Sequence, residues 1–302
     1  MRHNPVLLQE VLEHLSLRPG ALVVDGTLGS GGHSEAILAA IGSNGRLIGF
    51  DQDPEALRRC GDLFKGDPRV MLVHENFRNI EKSLMELGIA RVDAVLLDVG
   101  MSSEQLADEK RGFSFQTKGE LDMRMNPEAG QKASELLTEM SENELATLFR
   151  DYGEERNAAR FARSIVESRN SRPIQTTEDL IQTIENSLPR SLRFQNGRRP
   201  SWARHHPATR VFQALRIAVN DELNALRDGM VGALNVLANG GRLAVISFHS
   251  LEDRIVKFQF RQWAAESRGK LIFRKPIVAK RSEILNNPRS RSAKLRVIEK
   301  IS

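Results

Sequence analysis

A glycine-rich loop that follows an apolar run is the first segment of this sequence that could do chemistry. The run Ala21–Asp25 leads into Asp25-Gly-Thr-Leu-Gly-Ser-Gly-Gly-His-Ser34, and a helix-like stretch follows at His33–Ile41. Glycine lets a backbone approach a ligand closely, and the free N–H groups of a new helix point toward that ligand. The loop therefore predicts a site for a nucleotide-related ligand, with a tight structural turn as the alternative.

Three ligand classes compete for this loop. A phosphate-binding P-loop would need lysine after its second glycine; Gly26 and Gly31 have that spacing, but Gly32 occupies the lysine position. A dinucleotide loop would need Gly-x-Gly-x-x-Gly; Gly29 and Gly31 fit, but Ser34 stands in the third position. S-adenosylmethionine is the third candidate, and its amino-acid end needs no phosphate-binding group.

Further candidate side chains stand at the ends of the following apolar runs. Asp51 ends the second run, 20 residues beyond Gly31, where a carboxylate can accept hydrogen bonds from ribose hydroxyls. Phe77 follows the third run, where a planar ring could flank an adenine or simply belong to the core. Asp98 ends the fourth run, next to Gly100. Ligands of open parallel sheets bind at the carboxyl ends of the strands, so we expect these residues to share one site.

These positions require a parallel sheet. Strand-like runs alternate with helix-like stretches through the first hundred residues, and the short links between them predict an α/β, doubly wound sheet. The predicted strands are Ala21–Asp25, Arg46–Asp51, Val70–His74 and Val92–Asp98, and the predicted helices are His33–Ile41, Pro54–Phe64 and Ile80–Leu87.

The alternation stops after Asp98, and no buried strand is predicted in residues 106–208. Helices are predicted there at Lys132–Leu137, Glu142–Phe149, Arg156–Ser168 and Thr177–Ser187. A long helix, Thr209–Asn235, is predicted next, followed by strands at Arg242–Phe248, Leu271–Val278 and Lys294–Ile301. We therefore predict a discontinuous sheet domain, residues 1–105 and 209–302, interrupted by an all-helical insert, residues 106–208.

Charge is distributed unevenly along the chain. Residues 156–216 contain 12 arginines and 4 acidic residues, a net +8, and residues 268–302 contain 11 basic and 2 acidic residues, a net +9. Because the whole chain carries +5, the remainder carries −12. Basic segments on an acidic body favour a polyanionic partner over a small metabolite, although two solvated helical surfaces would account for them equally well.

The remaining composition excludes several classes of protein. The single cysteine, Cys60, rules out an intrachain disulfide and a cysteine-built metal site. Neither a membrane-length apolar run nor a signal-peptide pattern is present, so we expect a cytoplasmic protein. We predict no metal site, since His33 has no second ligand nearby in sequence and the pair His205-His206 reads as a loop.

Motifs along nearly the whole chain, in unchanged order, resemble the MraW/RsmH family of 16S ribosomal RNA cytosine-N4 methyltransferases. Besides the glycine loop, they are Leu97–Leu106, Arg111–Phe115, Leu121–Met125, Tyr152–Glu155, His206–Arg210, Phe212–Ile217, Ile246–Arg254 and Asn287–Arg296. The chain departs from the family pattern at Ala107, where aspartate is expected, and at Glu120, where proline is usual.

The resemblance implies a Rossmann-like S-adenosylmethionine methyltransferase sheet with an inserted all-helical domain that helps to hold the substrate. It implies S-adenosyl-L-methionine as the cofactor and, as the target, a cytosine in the decoding region of small-subunit (16S) ribosomal RNA within the small ribosomal subunit. It leaves open whether the chain forms a homo-oligomer. The implied cofactor contacts are Gly31, Gly32, His33, Asp51, Phe77, Asp98 and Gln105.

Asp98 is also the predicted catalytic residue, because an acceptor at that strand end can bind the hydrogens of a target amine. His249 and Asp253 are candidates for contact with the base, with helix capping as the alternative, and Arg198 and Arg199 are candidates for contact with the RNA backbone. Two other functions stay open: a nicotinamide-dependent oxidoreductase, and a non-catalytic ribosome-assembly factor that uses the fold to grip RNA.

Overall fold

The computed structural model describes residues 5–115, 118–189 and 206–301, and the strands in these ranges form one sheet. They are β1 (Leu22–Asp25), β2 (Arg46–Asp51), β3 (Val70–His74), β4 (Val92–Asp98), β5 (Leu237–Ser247), β6 (Gly269–Leu271), β7 (Ile277–Val278) and β8 (Lys294–Lys300). Their order is β3-β2-β1-β4-β5-β8-β6, with β7 also paired to β8. The first five are parallel, and β8 runs antiparallel to β5, β6 and β7.

The α-helices fall into two sets. Those of the sheet-containing part are α1 (Leu8–Leu15), α2 (Gly32–Ile41), α3 (Pro54–Leu63), α4 (Ile80–Glu86), α11 (Glu222–Val236), α12 (Ser250–Ala265) and α13 (Arg281–Asn286). The others are α5 (Ser103–Ala107), α6 (Ala133–Glu139), α7 (Glu142–Asp151), α8 (Ala158–Ser171), α9 (Thr177–Ser187) and α10 (Ala208–Asn220). The α/β sheet with a helical insertion is therefore confirmed.

The strand order creates a crevice between β1 and β4. The chain moves outward from β1 to β2 and β3, then returns to place β4 on the other side of β1. At such a reversal the connections leave the two carboxyl ends in opposite directions, and ligands bind in the gap. Asp25 and Asp98 are the last residues of these two strands, and Asp51 ends the neighbouring β2.

Side chains alternate between the two faces of the sheet and build two cores. On one face, Val24 and Val95 belong to a buried cluster that also contains residues of α4, α11 and α12, including the fully buried Trp263. On the other face, Val23 and Leu96 belong to a cluster with residues of α1 and α2. Because successive strand residues point to opposite faces, the continuous apolar runs of β1 and β4 are the pattern expected for strands covered on both sides.

The chain divides into two compact units. The sheet unit comprises Met1–Gly100 and Leu223–Ser302, and the helical unit comprises Met101–Glu222. The predicted boundaries at 105/106 and 208/209 are therefore displaced, most of all at the second. The reason is α10, whose residues Val211, Phe212 and Leu215 are buried in the core of the helical unit. The sequence pattern had assigned this helix to the sheet domain.

Three further predictions are corrected by the structure. The predicted helix Thr209–Asn235 is two helices, because Asp221 adopts a left-handed backbone conformation with φ 47° and ends α10. The predicted strand Leu271–Val278 is two short strands, β6 and β7, and residues 272–276 between them belong to neither strand. The predicted strand Arg242–Phe248 begins earlier: Leu237 already pairs with Val92, and the pairing register shifts within β5 before Arg242 pairs with Ala94.

Two glycines of the sheet unit make a matched test of helix packing. A Cβ on Gly229 of α11 would lie 2.4 Å from a ring carbon of Phe77, whereas a Cβ on Gly61 of α3 would meet nothing closer than 4.0 Å. We predict that Gly229→Ala lowers the free energy of unfolding by about 1–3 kcal/mol through overpacking. Gly61→Ala should raise it by about 0.5–1 kcal/mol, because alanine restricts the unfolded chain. Urea unfolding measures both, and equal effects would contradict the close packing at Phe77.

Candidate active site

Two glycines of the loop, Gly31 and Gly32, pack closely against neighbouring side chains. Gly31 has a φ of 79°, and a Cβ there would also lie 2.9 Å from a methyl group of Leu63 and 3.1 Å from the sulfur of Cys60. A Cβ on Gly32 would lie 2.6 Å from Pro5. Glycine is therefore required at Gly31 by both conformation and space. The backbone of the loop therefore packs closely against α3 and against the segment that precedes α1.

Asp25 closes the loop from within. It is 1% exposed, its Oδ1 accepts a hydrogen bond from the backbone N–H of Thr27 at 3.1 Å, and its Oδ2 accepts one from the hydroxyl of Ser34 at 2.7 Å. Burial raises the pKa of Asp25, and these hydrogen bonds act in the opposite direction. The carboxylate thus joins the start of the loop to the first turn of α2. From the sequence, Asp25 is predictable only as the last residue of a strand, because its bond to Ser34 depends on the path of the loop.

Asp51 holds the same loop from the neighbouring strand. Its Oδ2 accepts a hydrogen bond from Gly29 N–H at 2.8 Å, and its Oδ1 accepts one from Asp53 N–H at 2.9 Å. Burial raises the pKa of Asp51 to about 6, although the side chain keeps some contact with solvent. A carboxylate offers about four acceptor positions, so Asp51 retains capacity for ligand hydroxyls.

Asp98 and His33 meet at the crevice between β1 and β4. The Asp98 Oδ2 lies 3.5 Å from His33 Nδ1, and His33 Nε2 lies 3.0 Å from the carbonyl oxygen of Val6. The Asp98 Oδ1 is buried and has no hydrogen-bond partner among the described residues. Burial raises the pKa of Asp98 to about 6, against the opposing effect of the His33 charge. A buried, unsatisfied acceptor at a strand end indicates a place for a ligand donor.

Phe77 begins a short 3-10 helix after β3 and is partly buried. A Cβ on Gly26 would lie 3.2 Å from the Phe77 Cβ, and a Cβ on Gly229 would lie 2.4 Å from a ring carbon of Phe77. The structure therefore places Phe77 beside the glycine loop and against α11. That it flanks an adenine stays a prediction.

Gln105 belongs to the helical unit. Its Oε1 accepts a hydrogen bond from Ser102 N–H, and its own N–H donates to the Ser102 hydroxyl, both at 3.1 Å. These two bonds form a capping box that starts α5. The structure thus shows a local role for Gln105, and its contact with the cofactor stays a prediction.

The candidates after β5 have local partners in the sheet unit. His249 is the N-cap of α12; its Nδ1 accepts from Glu252 N–H at 3.4 Å, and its Nε2 lies 3.0 Å from a Glu252 carboxylate oxygen. Asp253 pairs with Arg296 at 2.7 Å and Lys294 at 3.0 Å. Burial opposes ionisation of Asp253, but hydrogen bonds from these cations outweigh it and lower its pKa.

Helix capping and ion pairing therefore account for the contacts of His249 and Asp253, and their contact with a base stays a prediction. Sequence analysis did not predict α12 itself. The segment that begins His249-Ser-Leu-Glu-Asp253 carries a start signal, a polar cap followed three residues later by glutamate, and could have revealed it. Arg198 and Arg199 lie outside the described residues.

The charge of the site selects among the three ligand classes. Asp25, Asp51 and Asp98 end three adjacent strands, and the loop of residues 26–32 contains neither lysine nor arginine. Carboxylates repel a pyrophosphate and attract a cation. S-adenosylmethionine carries a sulfonium, an ammonium group and ribose hydroxyls, which suit an unsatisfied carboxylate oxygen at Asp98 and spare acceptor positions at Asp51. The fold and this site together define an S-adenosylmethionine-dependent methyltransferase.

Comparison with known proteins gives the family. The sequence profile of the MraW methylase family matches residues 1–301, and the chain belongs to that family. Ribosomal RNA small subunit methyltransferase H of Heliobacterium modesticaldum is 48% identical over 319 residues, covering 99% of this chain and 98% of the relative. The protein of the same name from Geobacter sp. strain M21 is 48% identical over 318 residues, with the same coverage.

The pKa of Asp51 generates a prediction about cofactor binding. Asp51→Asn should weaken S-adenosylmethionine binding by about 1.5–3 kcal/mol, roughly 10- to 150-fold, because an acceptor with a full charge is lost. Hydroxyl donors favour the ionised carboxylate, so wild-type affinity should also fall as the pH decreases through about 6. The variant should show a shallower decrease.

Calorimetric titration between pH 5 and pH 8 measures both effects. Asp62→Asn, on the exposed side of α3, is the matched control and should bind as the wild type does. Unchanged affinity of the Asp51→Asn variant would remove Asp51 from the cofactor site.

Proposed function

We propose that this chain transfers the methyl group of S-adenosylmethionine to the exocyclic N4 amine of a cytosine in the decoding region of small-subunit (16S) ribosomal RNA. The observation that carries the proposal is the buried, unpartnered Oδ1 of Asp98 at the crevice between β1 and β4. The names of relatives 48% identical to this chain support ribosomal RNA of the small subunit as the substrate.

Asp98 addresses the weakness of the nucleophile. The lone pair of the cytosine amine is delocalised into the ring, so the nitrogen attacks poorly. An amine that donates a hydrogen bond to Asp98 Oδ1 keeps more of that lone pair on nitrogen. Bound S-adenosylmethionine supplies the electrophilic methyl group. Alignment of the amine by a fixed acceptor then provides much of the acceleration, because it removes the entropy of a chance encounter.

The same carboxylate can take the proton that leaves the methylated nitrogen. Asp98 has a pKa of about 6 and is mostly ionised at neutral pH, yet it is a stronger base than an ordinary aspartate. A neutral His33 whose Nε2–H donates to the carbonyl of Val6 would present Nδ1 as an acceptor 3.5 Å from Asp98 Oδ2. A proton received by Asp98 can therefore be shared with His33.

The proposed partner is the small ribosomal subunit, and the proposed location is the cytoplasm. The helical unit, with the arginine-rich segment that includes Arg198 and Arg199, would hold the ribosomal substrate. The assembled small subunit would present the cytosine, which places the reaction in the cytoplasm. Within the described ranges, every helix is too short or too polar to cross a bilayer.

Methyl transfer to isolated small ribosomal subunits tests this function. Wild-type protein should incorporate labelled methyl groups, and nuclease digestion with mass spectrometry should recover them as N4-methylated cytidine. Asp98→Asn should reduce the rate by about 10²–10⁴-fold through loss of the proton acceptor. Asp62→Asn should retain the wild-type rate. Subunit binding without methyl incorporation by the wild type would support the assembly-factor alternative and overturn the proposal.

The position of Cys60 predicts which atom of cytosine is modified. Methylation at C5 requires a cysteine thiolate to add to C6 of the ring. Cys60 is the only cysteine and is fully buried on α3, with its thiol 3.6 Å from the carbonyl oxygen of Gly29. A buried structural thiol of this kind is inert.

Cys60→Ala should therefore keep methyltransferase activity near that of the wild type, and RNA that contains 5-fluorocytosine should form no covalent adduct. Denaturing electrophoresis detects such an adduct directly. A trapped adduct that disappears in the Cys60→Ala variant would contradict methylation at N4.

A further inference from the structure

A basic segment near the end of the chain lies at the same edge of the sheet as Asp98. In the sheet register Asp98 pairs with Ile246, and the next residue of β5, Ser247, pairs with Lys294 at the start of β8. Lys294 also pairs with Val278 of β7. Residues 279–293, including α13 and a short 3-10 helix, therefore leave and rejoin the sheet at its ligand-binding edge.

Direct contacts tie this segment to the site. The carboxylate of Glu283 on α13 accepts a hydrogen bond from Leu7 N–H at 2.8 Å. The preceding residue, Val6, offers its carbonyl oxygen to His33 at 3.0 Å. The charge of Arg289 acts on the Asp98 carboxylate. The segment thus contacts the residues that precede α1 and lies within electrostatic range of Asp98.

The segment also presents more positive charge than its neighbours neutralise. We call its basic side chains, Lys280, Arg281, Arg289 and Arg291, the basic rim. All except Arg289 are exposed. In the described part of the chain, Arg281 and Arg291 form no ion pair, while Lys280 lies 3.9 Å from Glu10. The one acid between residues 279 and 293, Glu283, accepts a hydrogen bond from Leu7 N–H.

We infer that the basic rim binds the backbone phosphates of the RNA strand on either side of the target cytosine. The inference rests on the proposed function for the identity of the base that enters the site. An enzyme that modifies a base must take it out of the stack, so the flanking phosphates pass over the edge of the opening. Exposed cations at that edge can bind those phosphates and fix the register of the strand without reading its sequence.

The double variant Arg281→Gln/Arg291→Gln tests the rim. Lys65→Gln/Arg91→Gln is the matched control, because both residues are exposed and lie in connections that lead into the opposite edge of the sheet, Lys65 between α3 and β3 and Arg91 directly before β4. Binding of a labelled oligocytidylate strand is measured over a range of salt concentrations. The rim variant should bind roughly tenfold or more weakly at about 0.1 M salt, with a log–log salt slope shallower by about 1–2. The control should keep the wild-type slope.

Further readouts separate the outcomes. Both variants should keep the wild-type melting temperature and S-adenosylmethionine affinity, and the rim variant alone should raise the KM for small subunits. Equal salt slopes and equal KM values for the two variants would overturn the rim while leaving methylation intact. A reduced slope in a protein that methylates no subunits would leave the rim in place and refute the proposed function. Loss of binding to phosphatidylserine vesicles, with oligocytidylate binding unchanged, would identify a membrane surface instead.

Discussion

The structure depends on the burial of carboxylates at the ends of three adjacent strands. Asp25, Asp51 and Asp98 lie at one sheet edge, and burial raises the pKa of each. Backbone N–H groups and the Ser34 hydroxyl compensate part of the cost for Asp25 and Asp51, and in doing so they fix the path of the glycine loop. The part of the free-energy cost of burying these charges that the protein does not compensate favours a cationic ligand. The same electrostatic constraint thus shapes the loop and selects what it binds.

The positions of these carboxylates were predictable from sequence, because each one ends a continuous apolar run. Strands covered on both faces leave such runs, and their carboxyl ends must share an edge. The partners of the carboxylates were not predictable. His33 and Asp98 are far apart in sequence and meet only because β1 and β4 are neighbours in the sheet. The role of Asp25 depends on the turn of the loop that places the Ser34 hydroxyl beside its carboxylate.

The errors in the predicted fold arise from features that the spacing of apolar residues along the sequence does not reveal. Apolar spacing continues across Asp221, so one helix was predicted where a single left-handed residue separates two. The strand was predicted to begin at Arg242, after Gly240 and Gly241, although Leu237 is already paired in the sheet. The helix α10 belongs to the helical unit because its apolar face packs in the core of that unit. The spacing of apolar residues predicts that a helix has such a face but does not predict which core will bury it.

The place of the helical unit within the chain sets the order in which the protein can form during synthesis. β4 ends at Asp98, and its neighbour β5 begins only at Leu237. At about 5–20 residues per second, the ribosome needs roughly 7–30 s to make the intervening chain. Throughout that interval one edge of the very apolar β4 has no strand to pair with. A nascent chain of this kind is exposed to wrong pairing and aggregation at that edge. Early folding of the helical unit, whose contacts are largely between neighbouring helices, would bring residues 101 and 222 into one compact body and shorten the loop that β5 must close.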